Sequence, residues 1–483
     1  MNSTGIETLT TAALLGTARA TPTFDSLHTA DAAESAIGTA EHRLLAAAAL
    51  ESVFLAGGAL PTPRPRPAAA PDDPRPELPP AATERLRGLL AIRSDLIDEW
   101  FSAAAHFKAP AELIVDLLDR TSAAGGAHRS ALIALAGPRG RWVAAQNPVW
   151  APLVEPDLND DDMWLHGTPA RRRAWFQNLR AADPAAATAR LAAVWQSENA
   201  ATRLTLFEAL SPGLGGHDEE LLERALDDRS GRVREVAIRF LRRLPDSAFG
   251  RRMTQRVHDW TRVHDGTQVD GSTLAISLPD TLDAHAVRDG LDVRGPSRLG
   301  TVDAHRAWSL AASAPLAAWC GPDRSPEDVL ALQVADELRD AVRTGWETAT
   351  ADQVDEQWAS AMLRRDGKVD ELVAGALPRS VLIEHLRGAS GSQLLDTILL
   401  DALPAPWPVD VAEKVLAALY TAAAPKSTTF RSLTTLLAHR APYEVGDLFA
   451  DAATRTDDLD RLNRFATAAD ILSQRRTLHE ELS

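Results

Sequence analysis

Apolar positions along most of the chain recur with the spacing of α-helices. Apolar residues three and four positions apart form one face of a helix, and the pattern predicts helices around residues 6–18 and 34–55, from residue 83 to about 264, and from 304 to the C-terminus. Capping residues stand before proline at Thr168-Pro169 and Asp183-Pro184, an arrangement typical of helix starts. The chain is therefore predicted to be mainly α-helical.

A repeat with a period of 31 residues lies within the predicted helical region. A shift by this period superposes an arginine and several aromatic or apolar positions in three copies. The superposed residues are Trp164, Trp195 and Leu226; Arg172, Arg203 and Arg234; Trp175, Leu206 and Ala237; Phe176, Phe207 and Ile238; and Leu179, Leu210 and Leu241. Short helices that recur at a fixed period bury their apolar faces against neighbouring copies, so the pattern predicts an α-solenoid of helical hairpins.

The third copy, residues 221–244, resembles a HEAT repeat. Its first helix ends on apolar residues, Asp228 follows, and Arg234 comes six residues later. In HEAT repeats an aspartate and an arginine form a ladder along the stack, and the resemblance implies this role for Asp228 and Arg234. Arg203 and Arg172 occupy the arginine position of the two earlier copies, which lack the aspartate. They are the further members of the expected ladder.

Two interruptions divide the predicted helices. Residues 61–80 include nine prolines, and the segment 61–82 is predicted to be an extended, mobile linker because it has few backbone donors. Residues 265–303 form an irregular insert in which Leu274, Ile276 and Leu278 alternate as in a β-hairpin. The predicted organisation is N-terminal helices (1–60), linker (61–82), HEAT-like repeat region (83–264), insert (265–303) and C-terminal helical region (304–483).

Charge and cysteine content narrow the possible partners and compartments. The net charge is −16, from 51 basic and 67 acidic residues, which argues against a protein that coats nucleic acid or anionic membranes. The single cysteine, Cys320, excludes an internal disulfide and suits a reducing cytoplasm. No apolar run approaches the ~20 residues of a membrane span, and the N-terminus lacks the basic start of a signal peptide. We therefore expect a cytoplasmic protein with no membrane partner.

An arginine-rich segment stands out against this acidic background. From Arg224 to Arg256 there are ten arginines and four acidic residues. Guanidinium groups suit carboxylates and phosphates equally well, so three interpretations stay open: a solvated face, a surface for an acidic protein, and a nucleic-acid contact. Those between 232 and 252 are predicted to lie mostly off the apolar helix face. The candidate surface consists of Arg139, Trp150, Arg171, Arg173, Arg232, Arg239, Arg242, Arg243, Arg251 and Arg252.

No motif for catalysis or cofactor binding occurs in the sequence. The glycine-containing stretch GPRGRWVAAQNPVW, residues 137–150, lacks the lysine of a phosphate-binding loop and is predicted to be a joint between helices. An enzyme site in the insert would rest on acidic and histidine residues with no predicted shared geometry. These residues are Asp270, Asp280, Asp283, His285 and Asp289. We expect no enzymatic activity and no cofactor.

Stretches spread over most of the chain resemble a bacterial family of unknown function. They are TTAALLGTAR, GRWVAAQNPVW, RAWFQNLRAADP, LLERALDDRSGRVREVA and SQRRTLHEEL. Genes of that family tend to lie beside those for SWIM zinc-finger proteins, MoxR-type AAA ATPases and von Willebrand A domain proteins. The resemblance implies a component of a multi-protein ATPase system. The resulting prediction is a non-enzymatic scaffold that binds a protein partner, with a nucleic-acid-binding HEAT-like solenoid as the alternative.

Overall fold

Twenty-seven α-helices and one three-stranded sheet form the described part of the protein in a computed structural model. The structure describes residues 4–57, 67–123, 128–147, 149–150, 161–266, 271–292, 295–296, 299–422 and 425–483. The chain divides into two units, Met1–Ala70 and Pro71–Ser483. The prediction of a mainly helical chain with a small β element is confirmed.

The first unit contains three helices around a small apolar core. They are α1 (Thr4–Leu15), α2 (Ala30–Glu34) and α3 (Ala40–Gly57). The buried carboxylate of Glu51 on α3 accepts hydrogen bonds from the backbone N–H groups of His28 and Thr29. Burial alone would raise the pKa of Glu51, but the hydrogen bonds from these residues outweigh it and lower the pKa. Glu51 therefore ties α3 to the turn before α2.

The second unit begins with an extended segment and four helices. The helices are α4 (Pro80–Ile92), α5 (Ile97–Ala103), α6 (Ile114–Ala123) and α7 (Arg129–Gln146). Helix α4 starts inside the predicted linker, because a proline at the first helical position loses no hydrogen bond. Just before it, Leu78 is buried and its N–H donates to the carbonyl of Lys108 at 3.0 Å. This end of the predicted linker packs into the core, whereas residues 58–66 lie outside the described residues.

The glycine-containing stretch forms a bend within α7. Gly137 has φ 62° and ψ −159°, a conformation open to glycine because it has no Cβ, and Pro138 follows within the same helical run. The structure thus has a kink where the sequence predicts a joint between helices.

Seven helices follow, and three of them begin at intervals of the sequence period. They are α8 (Asp161–His166), α9 (Pro169–Ala182), α10 (Pro184–Val194), α11 (Ala200–Glu208), α12 (Glu219–Ala225), α13 (Gly231–Arg242) and α14 (Ala248–Trp260). Helices α9, α11 and α13 follow the N-cap residues Thr168, Asn199 and Ser230, which are 31 residues apart. Helix α11 contacts both α9 and α13. The superposed apolar side chains of the repeat are buried between these helices, apart from Leu179, which is half-buried.

The β element is larger than the sequence predicts. Strand β1 (Thr261–His264) pairs antiparallel with β2 (Thr273–Ile276), and β2 pairs in parallel with β3 (Gln333–Val334). The hairpin therefore begins before residue 265, and its third strand lies where the periodicity predicts continuous helix. Leu274 and Val334 face each other in register and are both buried. Strand β3 is only two residues long, and its contact with the sheet includes this buried pair.

The remaining helices complete the second unit. They are α15 (Ala284–Arg288), α16 (Val302–Ser313), α17 (Leu316–Cys320), α18 (Pro326–Ala331), α19 (Asp336–Gln353), α20 (Glu356–Asp366), α21 (Glu371–Ala374), α22 (Arg379–Gly388), α23 (Thr397–Ala402), α24 (Val409–Thr421), α25 (Thr428–Arg440), α26 (Gly446–Thr454) and α27 (Leu459–Glu481). Predicted continuous helices are broken after Ser313 and Ala331, where Pro315 and strand β3 follow.

The last helix contacts the first helices of the same unit. Helix α27 packs on α4 and α5, and Arg475 pairs with Glu99 at 2.6 Å. Leu478 and Leu482 join the core formed by residues of α4 to α7. In a linear solenoid each repeat contacts only its neighbours, so this contact between the two ends of the unit departs from the predicted arrangement.

A fully buried ion pair lies between α9 and the chain before α12. Arg180 is 1% exposed and Asp218 is 0% exposed, and two nitrogens of the Arg180 guanidinium contact the two carboxylate oxygens of Asp218 at 2.9 and 2.6 Å. Arg180 also donates to the backbone carbonyls of Leu210, Pro212 and Gly213. Because every side of the guanidinium is bonded, this pair fastens the first copy of the repeat to the second.

We predict that Asp218→Asn lowers the free energy of unfolding by about 3–5 kcal/mol, because the change leaves the Arg180 cation buried without a counterion. Glu220→Gln is the control: it removes the exposed pair with Arg224 and is expected to cost less than ~1 kcal/mol. Urea denaturation of the full chain, followed by circular dichroism, measures both. Similar losses in the two variants would contradict the structural role of Asp218.

Candidate interaction surface

The predicted ladder arginines hold successive copies of the repeat together. The Arg203 guanidinium pairs with the carboxylate of Asp228 in the next copy at 3.0 Å. In the same way Arg172 pairs with Glu198 at 2.5 Å. Asp228 is therefore bound by the arginine of the preceding copy, whereas Arg234 donates to the backbone carbonyls of Asp228 at 2.8 Å and of Arg229 at 3.4 Å.

Each of the two pairing arginines also lies over a tryptophan of its own copy. The guanidinium carbon of Arg172 is 4.9 Å from the ring centroid of Trp164, and that of Arg203 is 5.7 Å from that of Trp195. The same guanidinium group therefore makes both a cation–π contact and an ion pair. Glu198, one residue after the aspartate position, was missed in the sequence because the repeat register points to Ser197.

Arg252 belongs to the packing of α14 and is not a free surface cation. Its guanidinium contacts the carboxylate of Asp289 at 2.7 Å and that of Glu223 at 3.0 Å. Asp289 is 1% exposed and also pairs with Arg256 at 2.8 Å. Burial alone would raise the pKa of Asp289, but hydrogen bonds from the two arginines outweigh it and lower the pKa. Arg252 thus neutralises a buried carboxylate.

Arg242 is buried, which corrects the prediction that it lies off the apolar face. It is 9% exposed, its Nε donates to Ser313 Oγ at 3.0 Å, and its guanidinium lies 5.1 Å from the ring centroid of Trp308. Within the described residues it forms no ion pair with a carboxylate. Burial lowers its pKa, while the charge of Asp352 opposes this shift. Helices α16 and α19 both contact α13, so residues far along the chain cover a position that α13 alone would expose.

Three further residues of the candidate surface contact other side chains of the chain. Trp150 Nε1 donates to the carboxylate of Asp119 at 2.9 Å. Half-buried Arg243 donates to Ser211 Oγ at 3.0 Å. Arg139 is 4.0 Å from Glu77, a long contact between exposed groups that contributes little.

The other candidate arginines are exposed and have no carboxylate partner within the described residues. They are Arg171, Arg173, Arg232, Arg239 and Arg251, and we refer to them as the free arginine set. Arg251 donates to the backbone carbonyl of Asp246, and Arg239 lies over the ring of Phe240. They lie on α9, α13 and α14, so the candidate surface is reduced to three helices.

A pocket opens between α11, α13 and α19 next to this set. Its volume is about 360 Å³, and we call it the α13 pocket. Its polar lining comprises Glu208, Ser211, Arg239, Arg243 and Asp352. Burial raises the pKa of Asp352 although the charges of Arg242, Arg243 and Arg239 oppose the shift. Asp352 and Arg242 were missed as neighbours because they are far apart in sequence.

The residues of the alternative enzyme site have separate roles in the structure. Asp283 caps α15, and Asp289 is paired with arginines. Asp280 and His285 are exposed, and Asp270 lies outside the described residues.

In the part of the chain that the structure describes, no group of three or more histidine, cysteine or acidic residues could hold a metal ion. None of the described helices has both the length and the apolar character needed to cross a bilayer.

We predict opposite effects on stability for two arginine-to-methionine changes. Arg242→Met is expected to be neutral or to stabilise by up to about 2 kcal/mol, because it removes a buried charge without an ion-pair partner. Arg252→Met is expected to cost roughly 1–3 kcal/mol, because Asp289 loses one of its charged donors. The measurement is the denaturation midpoint of each variant in urea. Destabilisation of Arg242→Met by as much as Arg252→Met would contradict this assignment.

Comparison with known proteins extends over nearly the whole chain. The model of a family described as "Family of unknown function (DUF5691)" matches residues 8–482. No curated protein and no solved structure matches the chain. The expected resemblance to a family of unknown function is thus confirmed at the level of the family. Because the match covers nearly all its residues, the chain belongs to the family of unknown function DUF5691.

Proposed function

We propose that the chain is a non-enzymatic, HEAT-like helical scaffold whose free arginine set binds an acidic protein partner. The observation that carries the proposal is the division of the arginines into two groups. Inward arginines such as Arg203 and Arg252 have carboxylate partners, whereas the free arginine set has none within the described residues. These five exposed cations lie on three helices, α9, α13 and α14, of a chain with net charge −16.

Arginine side chains of this kind suit protein recognition. A guanidinium donates parallel hydrogen bonds to a carboxylate, and arginine is enriched at protein interfaces and their energetic hot spots. The helices that carry Arg171, Arg173 and Arg232 are tied together by the Arg172–Glu198 and Arg203–Asp228 pairs. The scaffold would therefore present its charges at fixed separations.

A protein is the favoured partner over nucleic acid because of the charge outside the free arginine set. A phosphate backbone carries a charge at every nucleotide and is bound by many cations along its path, whereas the chain has 67 acidic residues against 51 basic ones. The family resemblance directs the search to MoxR-type AAA ATPases, SWIM zinc-finger proteins and von Willebrand A domain proteins of the same genome. The proposed compartment is the cytoplasm, supported by the use of a single cysteine.

The test is reconstitution of the full chain with each of these three purified proteins, measured by calorimetry. We expect one of them to form a complex that Arg171→Glu, Arg173→Glu and Arg232→Glu together weaken at least tenfold. The matched control reverses three other exposed cations, Arg19, Lys368 and Arg431, and so has the same net charge. We expect that control to change the affinity less than threefold.

Two results would contradict the proposal. One is the absence of a complex with all three proteins, and the other is equal weakening by both sets of reversals. Salt-dependent binding of duplex DNA that is lost in the triple variant would favour the alternative, a nucleic-acid-binding solenoid, because phosphate contacts release counterions.

A further inference from the structure

The repeat places two buried arginines at equivalent positions with different surroundings. Arg180 in the first copy and Arg242 in the third are two periods of 31 residues apart, with Ser211 between them. The Arg180 guanidinium donates hydrogen bonds to the carboxylate of Asp218 and to backbone carbonyls. Arg242 has Trp308 and Ser313 but no ion pair with a carboxylate within the described residues. The third copy therefore lacks an internal counterpart of Asp218.

The α13 pocket lies beside this incomplete position. Arg239, Arg243 and Asp352 line it, and the charge of the buried Arg242 acts on the pKa of Asp352. Arg239 has no carboxylate partner, and Arg243 donates only to Ser211. The charges of Arg239, Arg242 and Arg243 all act on Asp352, and one further carboxylate, Glu208, lines the pocket. Neither carboxylate forms an ion pair within the described residues. The local balance favours one additional negative charge.

The rim of the pocket offers an apolar contact as well. Val354 is 62% exposed and lines the pocket in a left-handed conformation with φ 51°. A β-branched residue rarely adopts this conformation because its side chain crowds the backbone. This strained backbone places the Val354 side chain in the same pocket lining as Arg239 and Arg243. There it can contact the residues on either side of a bound carboxylate.

We propose that the α13 pocket binds an acidic side chain of a protein segment, which meets Arg239 and Arg243 as Asp218 meets Arg180. This inference rests on the proposed function, since it names the group that the partner contributes. A phosphate is disfavoured because Glu208 and Asp352 line the same pocket and repel a doubly charged anion more strongly than a single carboxylate. A free small carboxylate lacks the flanking residues that would contact Val354.

The experiment measures fluorescence anisotropy of a labelled hexaglutamate peptide on the full chain. We expect Arg239→Lys and Arg243→Lys each to weaken binding at least fivefold although net charge is unchanged, because lysine lacks the planar fork that binds both carboxylate oxygens. Arg19→Lys and Arg431→Lys, at exposed positions outside the free arginine set, are the matched controls and should change binding less than twofold. Asp352→Asn should tighten binding, because it removes a competing carboxylate. Thermal unfolding of each variant verifies that the fold is retained.

Three outcomes would overturn the inference: no binding of the peptide, equal effects of pocket and control variants, or full competition by free glutamate at the peptide's own concentration. If the pocket variants leave peptide binding unchanged while the reversals at 171, 173 and 232 still abolish partner binding, the inference fails and the proposed scaffold function stands. If the peptide binds with the expected pattern but none of the three purified proteins forms a complex, the assigned partners fail and the pocket stands.

Discussion

The second unit depends on arginine side chains that reach from one helix pair to a carboxylate in the next. Arg172 reaches Glu198 and Arg203 reaches Asp228, and Arg180 meets Asp218 with neither side chain exposed. Short helices are marginally stable alone and depend on packing against their neighbours. Charge-assisted contacts, bidentate for Arg180 with Asp218 and for Arg203 with Asp228, add direction to that packing.

This constraint sorts the arginines of the chain by use. Arg180, Arg203 and Arg252 have carboxylate partners, because an unpaired buried charge is costly, and they are not available to a partner protein. Those of the free arginine set lie outside this network. Arg242 belongs to neither group, since it is buried yet forms no ion pair within the described residues. It lies on the same helix as Arg239, which lines the α13 pocket together with Arg243.

Local features of the structure were predictable, whereas contacts between distant segments were not. The caps Thr168 and Asn199 and the apolar face of the repeat are set by residues a few positions apart, so periodicity finds them. The burial of Arg242 depends on α16 and α19, and strand β3 depends on pairing with β2. The contacts of α27 with α4 and α5 join residues 396 and 376 positions apart. No pattern within one segment reports such neighbours, and for this reason the buried Arg242 was predicted to lie on the candidate surface.

The most direct test of this account is a double-mutant cycle on Arg203 and Asp228. The free energies of unfolding of Arg203→Ala, Asp228→Ala and the double variant give the coupling between the two side chains, free of their separate effects. The account predicts a coupling of at least about 1.5 kcal/mol, because both groups are nearly buried and in contact across two copies of the repeat. A coupling near zero would mean that apolar packing alone holds the copies together, and would contradict the central role given to the arginine–carboxylate contacts.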